Sequence, residues 1–151
     1  MAFTDILTAI ETHATTAGAG LTNPITNVRI GYPKAAHRSA RIFWGGETAP
    51  VRLGDNPRVL NGELVSDTIV VIVFWSLSNL SDDLAEIIEL EARAFTAAFR
   101  TAVLGDSQLG GQSTDLEVGY GETDFPVLAG AAWRTLTFEI VTDFSEYALA
   151  P

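Results

Sequence analysis

Thr68-Ile69-Val70-Val71-Ile72-Val73-Phe74-Trp75 is the run that decides how this chain folds. Its uninterrupted β-branched and aromatic residues predict a strand covered over most of both faces. A polar break, Ser76 to Ser78, follows it. Beyond Ser81 the apolar residues Leu84, Ile87, Ile88, Phe95, Phe99 and Val103 recur at helical spacing. Ser81 suits an N-cap, and Asp82 and Asp83 place negative charge in the first turn, where the helix dipole favours it. Gly105 stands just past the last apolar residue, where helices often stop. Such a helix would be about 35 Å long.

Working outward toward the N-terminus, Thr4 can cap a first helix with Ile6, Leu7, Ile10 and Ala14 on its apolar side. The stretch from Thr15 to Gly20 is expected to fray. After Pro24, Val28, Ile30 and Tyr32 alternate with Asn27 and Arg29, the pattern of a half-buried strand. Pro33 to Ser39 reads as a loop and Ala40 to Trp44 as a second strand. Gly45-Gly46 offers a tight turn, from which Val51-Arg52-Leu53 would return as a short strand. Asn61-Gly62, between Val59-Leu60 and Glu63-Leu64-Val65, signals a hairpin whose second arm runs into the central strand.

On the C-terminal side, Gly105 to Ser113 is rich in glycine and polar residues and is expected to be mobile. Thr114 to Tyr120 alternates as a strand, and Gly121 to Pro126 reads as a turn region. A last strand points Leu136, Phe138 and Ile140 inward. Asp143 to Pro151 has no strong pattern. This order predicts an α+β domain over residues 1–151: a mostly antiparallel sheet packed against a short N-terminal helix and a long central one, with an extended loop and hairpin section.

A chain of 151 residues, 47% hydrophobic, has enough apolar surface for a core. It has no cysteine, which excludes disulfides, thiolate metal sites and cysteine nucleophiles. No apolar run approaches the roughly 20 residues of a membrane span. Met1-Ala2-Phe3-Thr4-Asp5 lacks the basic start and apolar core of a signal peptide, so a cytoplasmic product is expected. The net charge of −10 argues against a general nucleic-acid binder. Charge is also uneven: Arg29, Lys34, Arg38, Arg41, Arg52 and Arg58 make the first third locally basic, while carboxylates crowd the part beyond Glu63. That suits either a solvated surface or contacts between copies through opposite-sign patches.

Catalytic patterns are weak. His13 and His37 lie in no nucleophile motif, and there is no Gly-x-Ser-x-Gly elbow. Asp82-Asp83 and Glu86 to Glu89 are read as a solvated helix face, with Glu89 and Arg93 paired at i,i+4, rather than as a metal site. Gly119-Tyr120-Gly121 opens like a dinucleotide fingerprint but lacks its third glycine and leads into Phe125-Pro126, not a helix. Neither an enzyme nor a cofactor or metal is expected. Trp75 and Trp133 sit in strand patterns and read as core, whereas Trp44, beside Gly45-Gly46, is the best exposed aromatic contact.

The layout resembles the tail terminator, or tail completion, proteins of long-tailed bacteriophages and gene-transfer particles. The resemblance rests on a short helix leading into Val28-Arg29-Ile30-Gly31-Tyr32-Pro33, a loop-and-hairpin section to Leu64, and the apolar strand ending Phe74-Trp75-Ser76. The long helix from Ser81, and Leu128-Ala129-Gly130-Ala131-Ala132-Trp133-Arg134 entering Leu136 to Val141, complete it. It implies a structural virion protein without catalytic groups, assembled in the host cytoplasm as a homo-oligomeric ring, hexameric in that family. On the end of the tail tube the ring stops tube growth and joins the tail to the head connector or stopper, while DNA passes through without specific binding. Another neck connector, a tube subunit and a small-ligand-binding α+β domain are the alternatives. The expected subunit-contact section is Tyr32 to Pro57 and its surroundings, with Arg38, Arg41, Trp44, Arg52 and Arg58 as contact residues. Replacing Arg41 and Arg52 by Glu is expected to weaken self-assembly and to leave the fold intact. Ile72→Asp is expected to unfold it.

Overall fold

A computed structural model describes residues 2–31, 39–44, 49–52, 62–77, 81–106, 108–109, 113–119, 121–128 and 130–147, of which 2–3, 44, 49–52, 62–67, 113–115 and 143–147 by their backbone alone. The elements in chain order are α1 (Ala2–Ala19), β1 (Val28–Ile30), β2 (Ser39–Trp44), β3 (Ala49–Arg52), β4 (Gly62–Ser76), α2 (Asp82–Leu104), β5 (Ser113–Val118), β6 (Glu122–Asp124), β7 (Val127–Leu128) and β8 (Ala131–Tyr147). Among the described residues two helices pack on a mixed, mostly antiparallel sheet of seven strands, an α+β fold as the sequence pattern predicts. The two-residue β7 adds a short ladder at the start of β8.

The apolar run is the middle of the sheet, and the strand is much longer than the run. All 15 residues of β4 pair antiparallel with β8, from Gly62 opposite Tyr147 to Ser76 opposite Trp133. At about 3.3 Å per residue the pair extends roughly 50 Å. The patternless tail from Asp143 therefore continues as strand to Tyr147. Its backbone has a partner in the first half of β4, and pairing sets the conformation where alternation is weak.

The other edge of β4 is shared. β2 pairs with residues 69 to 74 and β3 with residues 63 to 66, both antiparallel. β2 and β3 therefore run in the same direction and are not the two arms of a hairpin, contrary to the turn expected at Gly45-Gly46. The dipeptide itself, like Asn61 of the second expected hairpin, lies outside the described residues. β1 joins β2 in parallel, the one parallel ladder among the described strands.

Period-two alternation divides β4 between two faces. Ile69, Val71, Val73 and Trp75 are 2% exposed or less and face the helices. They meet Ala40 and Ile42 from β2, and Leu136, Phe138 and Ile140 from β8. α2 closes this layer with Ile88, Ala92, Phe95, Phe99 and Val103, and α1 with Ile6, Ile10, Ala14 and Ala17. Phe95, Phe99 and Phe138 form its centre, with ring centroids 5.2 to 6.1 Å apart. On the far face Phe74 and Trp133 meet edge to face at 6.1 Å, and both are 2% exposed. Ile72 lies on that face and is only half-buried.

α2 ends where its caps dictate. The Ser81 hydroxyl accepts from Leu84 N–H at 3.1 Å, and Gly105 N–H bonds the Thr101 carbonyl. Ser81→Ala is expected to cost about 1 kcal/mol, read as a lower urea midpoint at unchanged slope. α1 departs from expectation: it starts before Thr4 and continues through Thr15 and Thr16 to Ala19. The hydroxyls of Thr8, Thr12, Thr15 and Thr16 each donate to the carbonyl four residues back, so these threonines stay within the helix. Its last turn is held from outside, because the Gly18 carbonyl accepts from Leu21 and Ile25 N–H. A Cβ on Gly18 would stand 3.1 Å from the Ile25 Cβ.

Two further stretches differ. The segment after α2 is anchored through Leu109, which is fully buried with φ +44° and bonds back to Asp106. Gly121 to Pro126, read as a turn region, contains β6 paired with residues 135 to 137 of β8. The actual reversal comes later, at Gly130 with φ +78°, a conformation that favours glycine.

Candidate functional site

Interior polar groups gather where α2 crosses the ends of β4 and β8. Glu91 is 5% exposed, and its carboxylate accepts from Trp75 Nε1 and Asn23 Nδ2, each at 3.0 Å. Two residues earlier on the helix, Glu89 receives a forked pair from Arg134, Nε at 2.8 Å and Nη2 at 3.2 Å. The 4%-exposed Arg134 guanidinium also lies 5.5 Å over the Trp75 ring and reaches Thr123 Oγ1 at 3.3 Å. Burial of an arginine is tolerable when its charge is paired and stacked in this way. Glu89 thus pairs across to β8, not with Arg93 along its own helix.

These carboxylates act as hydrogen-bond acceptors that lock α2 onto the sheet. Glu91→Ala is expected to cost about 1–3 kcal/mol, because it strands the buried Trp75 N–H. Glu91→Gln retains one acceptor and should cost less in the same denaturation experiment. Equal losses would show that the Trp75 bond contributes little.

Each flank of this part of α2 borders a hollow. One, about 300 Å³, lies between the end of α1 and α2 and is lined by Leu21, Thr22, Asn23, Ile87, Leu90 and Ala94 among others. The other, about 330 Å³, is more polar and is bordered by Glu89, Arg93, Thr96, Thr123 and Arg134. Leu90 borders both and is 62% exposed. His13 is half-buried beside the helix end, its Nε2 2.8 Å from Asp106 Oδ2. His37 lies outside the described residues. Among the described residues no group of three or more His, Asp or Glu side chains could hold a metal ion, and no helix is long and apolar enough to cross a membrane.

The two lateral margins of the sheet differ in chemistry. β1, with Arg29 exposed and Ile30 41% exposed, and β3, described by its backbone, lie along one margin. β5, β6 and β7 form the other, with exposed Glu117, Glu122 and Asp124. At its tip Phe125 is 61% and Val127 69% exposed. Arg100 of α2 fastens the end of β5 by donating to the carbonyls of Val118 and Gly119 at 3.0 and 2.9 Å.

Of the expected contact residues, Arg38 and Arg58 lie outside the described residues, and Trp44 and Arg52 end β2 and β3 by their backbone. Arg41 sits in mid-β2 between Arg29 and Ile72, half-buried, with its Nε enclosed and without a hydrogen-bond partner. Its half-buried place in the sheet means that replacement by Glu is expected to disturb β2 as well as any contact. The apolar tip at Phe125 and Val127 was not singled out in the sequence. Phe125-Pro126-Val127-Leu128 after an acidic run was the available signal. No protein-family model matches this chain, and no curated protein does either.

Proposed function

We propose that this chain is a tail-terminator-like structural protein, assembling as a homo-oligomeric ring, six-membered by resemblance, on the end of a phage-type tail tube. The observation that carries this reading is the pair of unlike margins on one open sheet, basic at Arg29 and acidic to apolar from Glu117 to Val127. A ring requires heterologous contacts, in which one patch meets a different patch on the neighbour. Unlike margins on opposite sides of a sheet meet that requirement, and a single self-complementary patch would not. The net charge of −10 suits a lumen through which DNA slides, since phosphates find few cations to hold them. The ring's other partners would be the tube subunit on one side and the head connector on the other.

Electron microscopy of particles made with and without the gene tests this. Overlong or ragged tails beside separate full heads are expected in its absence. Tails of normal length that fail to attach would move the protein to the head side of the neck. Unchanged particles would favour a small-ligand-binding domain, for which the apolar hollow at Leu21, Ile87 and Leu90 is the supporting observation.

A further inference from the structure

Following the cross-strand register from one margin to the other exposes a single row of side chains. Arg29 stands opposite Arg41, Arg41 opposite Ile72, Ile72 opposite Thr137, and Thr137 opposite Glu122. One end of the row is an exposed cation on β1, the other an exposed carboxylate on β6. Both project from the face opposite the helices, because every member of the row shares one side of the pleat. Asp124, two residues from Glu122, projects from the same face, as does Glu117 one strand earlier.

We infer that copies of this chain join edge to edge, β1 of one against β6 of the next, with Arg29 beside the neighbour's Glu122. The inference rests on the ring reading above and specifies its contact. Strand directions permit it. β1 is parallel to β2, β2 antiparallel to β4, β4 antiparallel to β8, and β8 antiparallel to β6. β1 and β6 therefore run in opposite directions within one sheet. A neighbour that continues the sheet in the same sense presents β6 antiparallel to β1, the more stable pairing. Addition of a strand to an open edge is an established mode of recognition, with main-chain bonds supplying affinity and side chains the register.

Here the side chains select one register and one partner edge. Two β1 edges would set Arg29 near Arg29, and two β6 edges would juxtapose Glu122 and Asp124 with their own copies; like charges directly opposite are unfavourable. With Arg29 at Glu122, the antiparallel count carries Phe125 and Val127 alongside the neighbour's exposed Thr26 and Pro24. That segment follows Leu21 to Asn23 of the apolar hollow, so the exposed tip gains apolar company there.

Cysteine cross-linking tests the contact directly, because the chain has no cysteine of its own. Residues opposed in an antiparallel pair lie within disulfide range. Within one chain Arg29 and Glu122 are four strand spacings apart, roughly 19 Å, far beyond that range. The full-length Arg29→Cys/Glu122→Cys chain, alone and added to isolated tail tubes, is oxidised and run on a non-reducing gel, with electron microscopy in parallel. Arg29→Cys/Glu86→Cys, whose second site is on α2, is the control.

A ladder of linked copies from the first chain only, with rings in the images, is the expected result. Rings without a ladder would overturn the edge pairing and leave the ring reading standing. Neither rings nor a ladder, alone or on tubes, would remove both. Charge reversal gives a second route: Arg29→Glu or Glu122→Arg alone should lower ring yield roughly tenfold, since each opposes like charges. The double reversal restores complementarity and should recover the yield. Failure of the double variant to recover, while remaining folded by circular dichroism, would also count against the pairing.

Discussion

Val71→Asp is expected to abolish the folded state. Val71 is fully buried on the helix side of β4, between Ile42 of β2 and Phe138 of β8. A carboxylate there leaves water for a layer of aliphatic and aromatic groups, with no cation opposite in either neighbouring strand. The side chain would have to be neutralised or the strand displaced, and such changes cost about 4 kcal/mol or more. With domain stabilities of about 5–15 kcal/mol, the folded population should collapse at ordinary temperature. Circular dichroism and thermal melting read this directly. A cooperative melt close to that of the unaltered chain would show that β4 does not carry the core. Ile72→Asp is the informative companion. Because Ile72 is half-buried on the opposite face, it should cost clearly less than Val71→Asp, in place of the outright unfolding that the apolar run suggested.

Phe99→Ala should have the next largest effect. The Phe99 ring is fully buried and packs 5.5 Å from Phe95 and 5.2 Å from Phe138, joining α2 to β8. Truncation loses the burial of the ring and leaves a cavity between two elements that cannot both move in. Phe to Ala changes of this kind cost about 3–5 kcal/mol. The expected readout is a large fall in the urea midpoint with the far-ultraviolet spectrum retained at low urea. A loss under about 1 kcal/mol would mean that the helix settles onto the sheet without its aromatic centre.

Both substitutions act on the layer between sheet and helices, away from the interaction surface proposed above. That separation allows the margins to be altered without losing the fold: Arg29, Glu122 and Asp124 are exposed, and none contributes to the core. Arg41 behaves differently. Its half-buried position between Arg29 and Ile72 within the sheet makes it a poor probe of assembly despite its place in the basic third of the chain.

Local pattern was enough for α2 and for the identity of the central strand. The Ser81 cap, the acidic first turn, the apolar spacing and Gly105 are all read within one turn of the residues concerned, and each appears as expected. The inward set Leu136, Phe138 and Ile140 followed from alternation, and Trp75 and Trp133 from their place in strand patterns. The hairpin assignments and the ends of the long strands could not be settled in that way. Whether β3 pairs with β2 or with β4 depends on which edge remains open once β4 and β8 have paired, and no local feature of residues 49 to 52 records it. Similarly, Arg134 as the partner of Glu89 joins residues 45 positions apart, while the nearer Arg93 satisfies every local rule.

The sequence by itself determined the class of fold and the core residues of the regular elements, such as Phe95, Phe99, Leu136, Phe138 and Ile140, because periodicity and capping are properties of neighbouring residues. Only the tertiary structure decided how far β4 and β8 extend, which described strands lie at the sheet's margins, and that Arg29 and Glu122 end the same cross-strand row. The physical reason is that strand register is set by partners distant in the chain, and a row across five strands exists only after the sheet has formed.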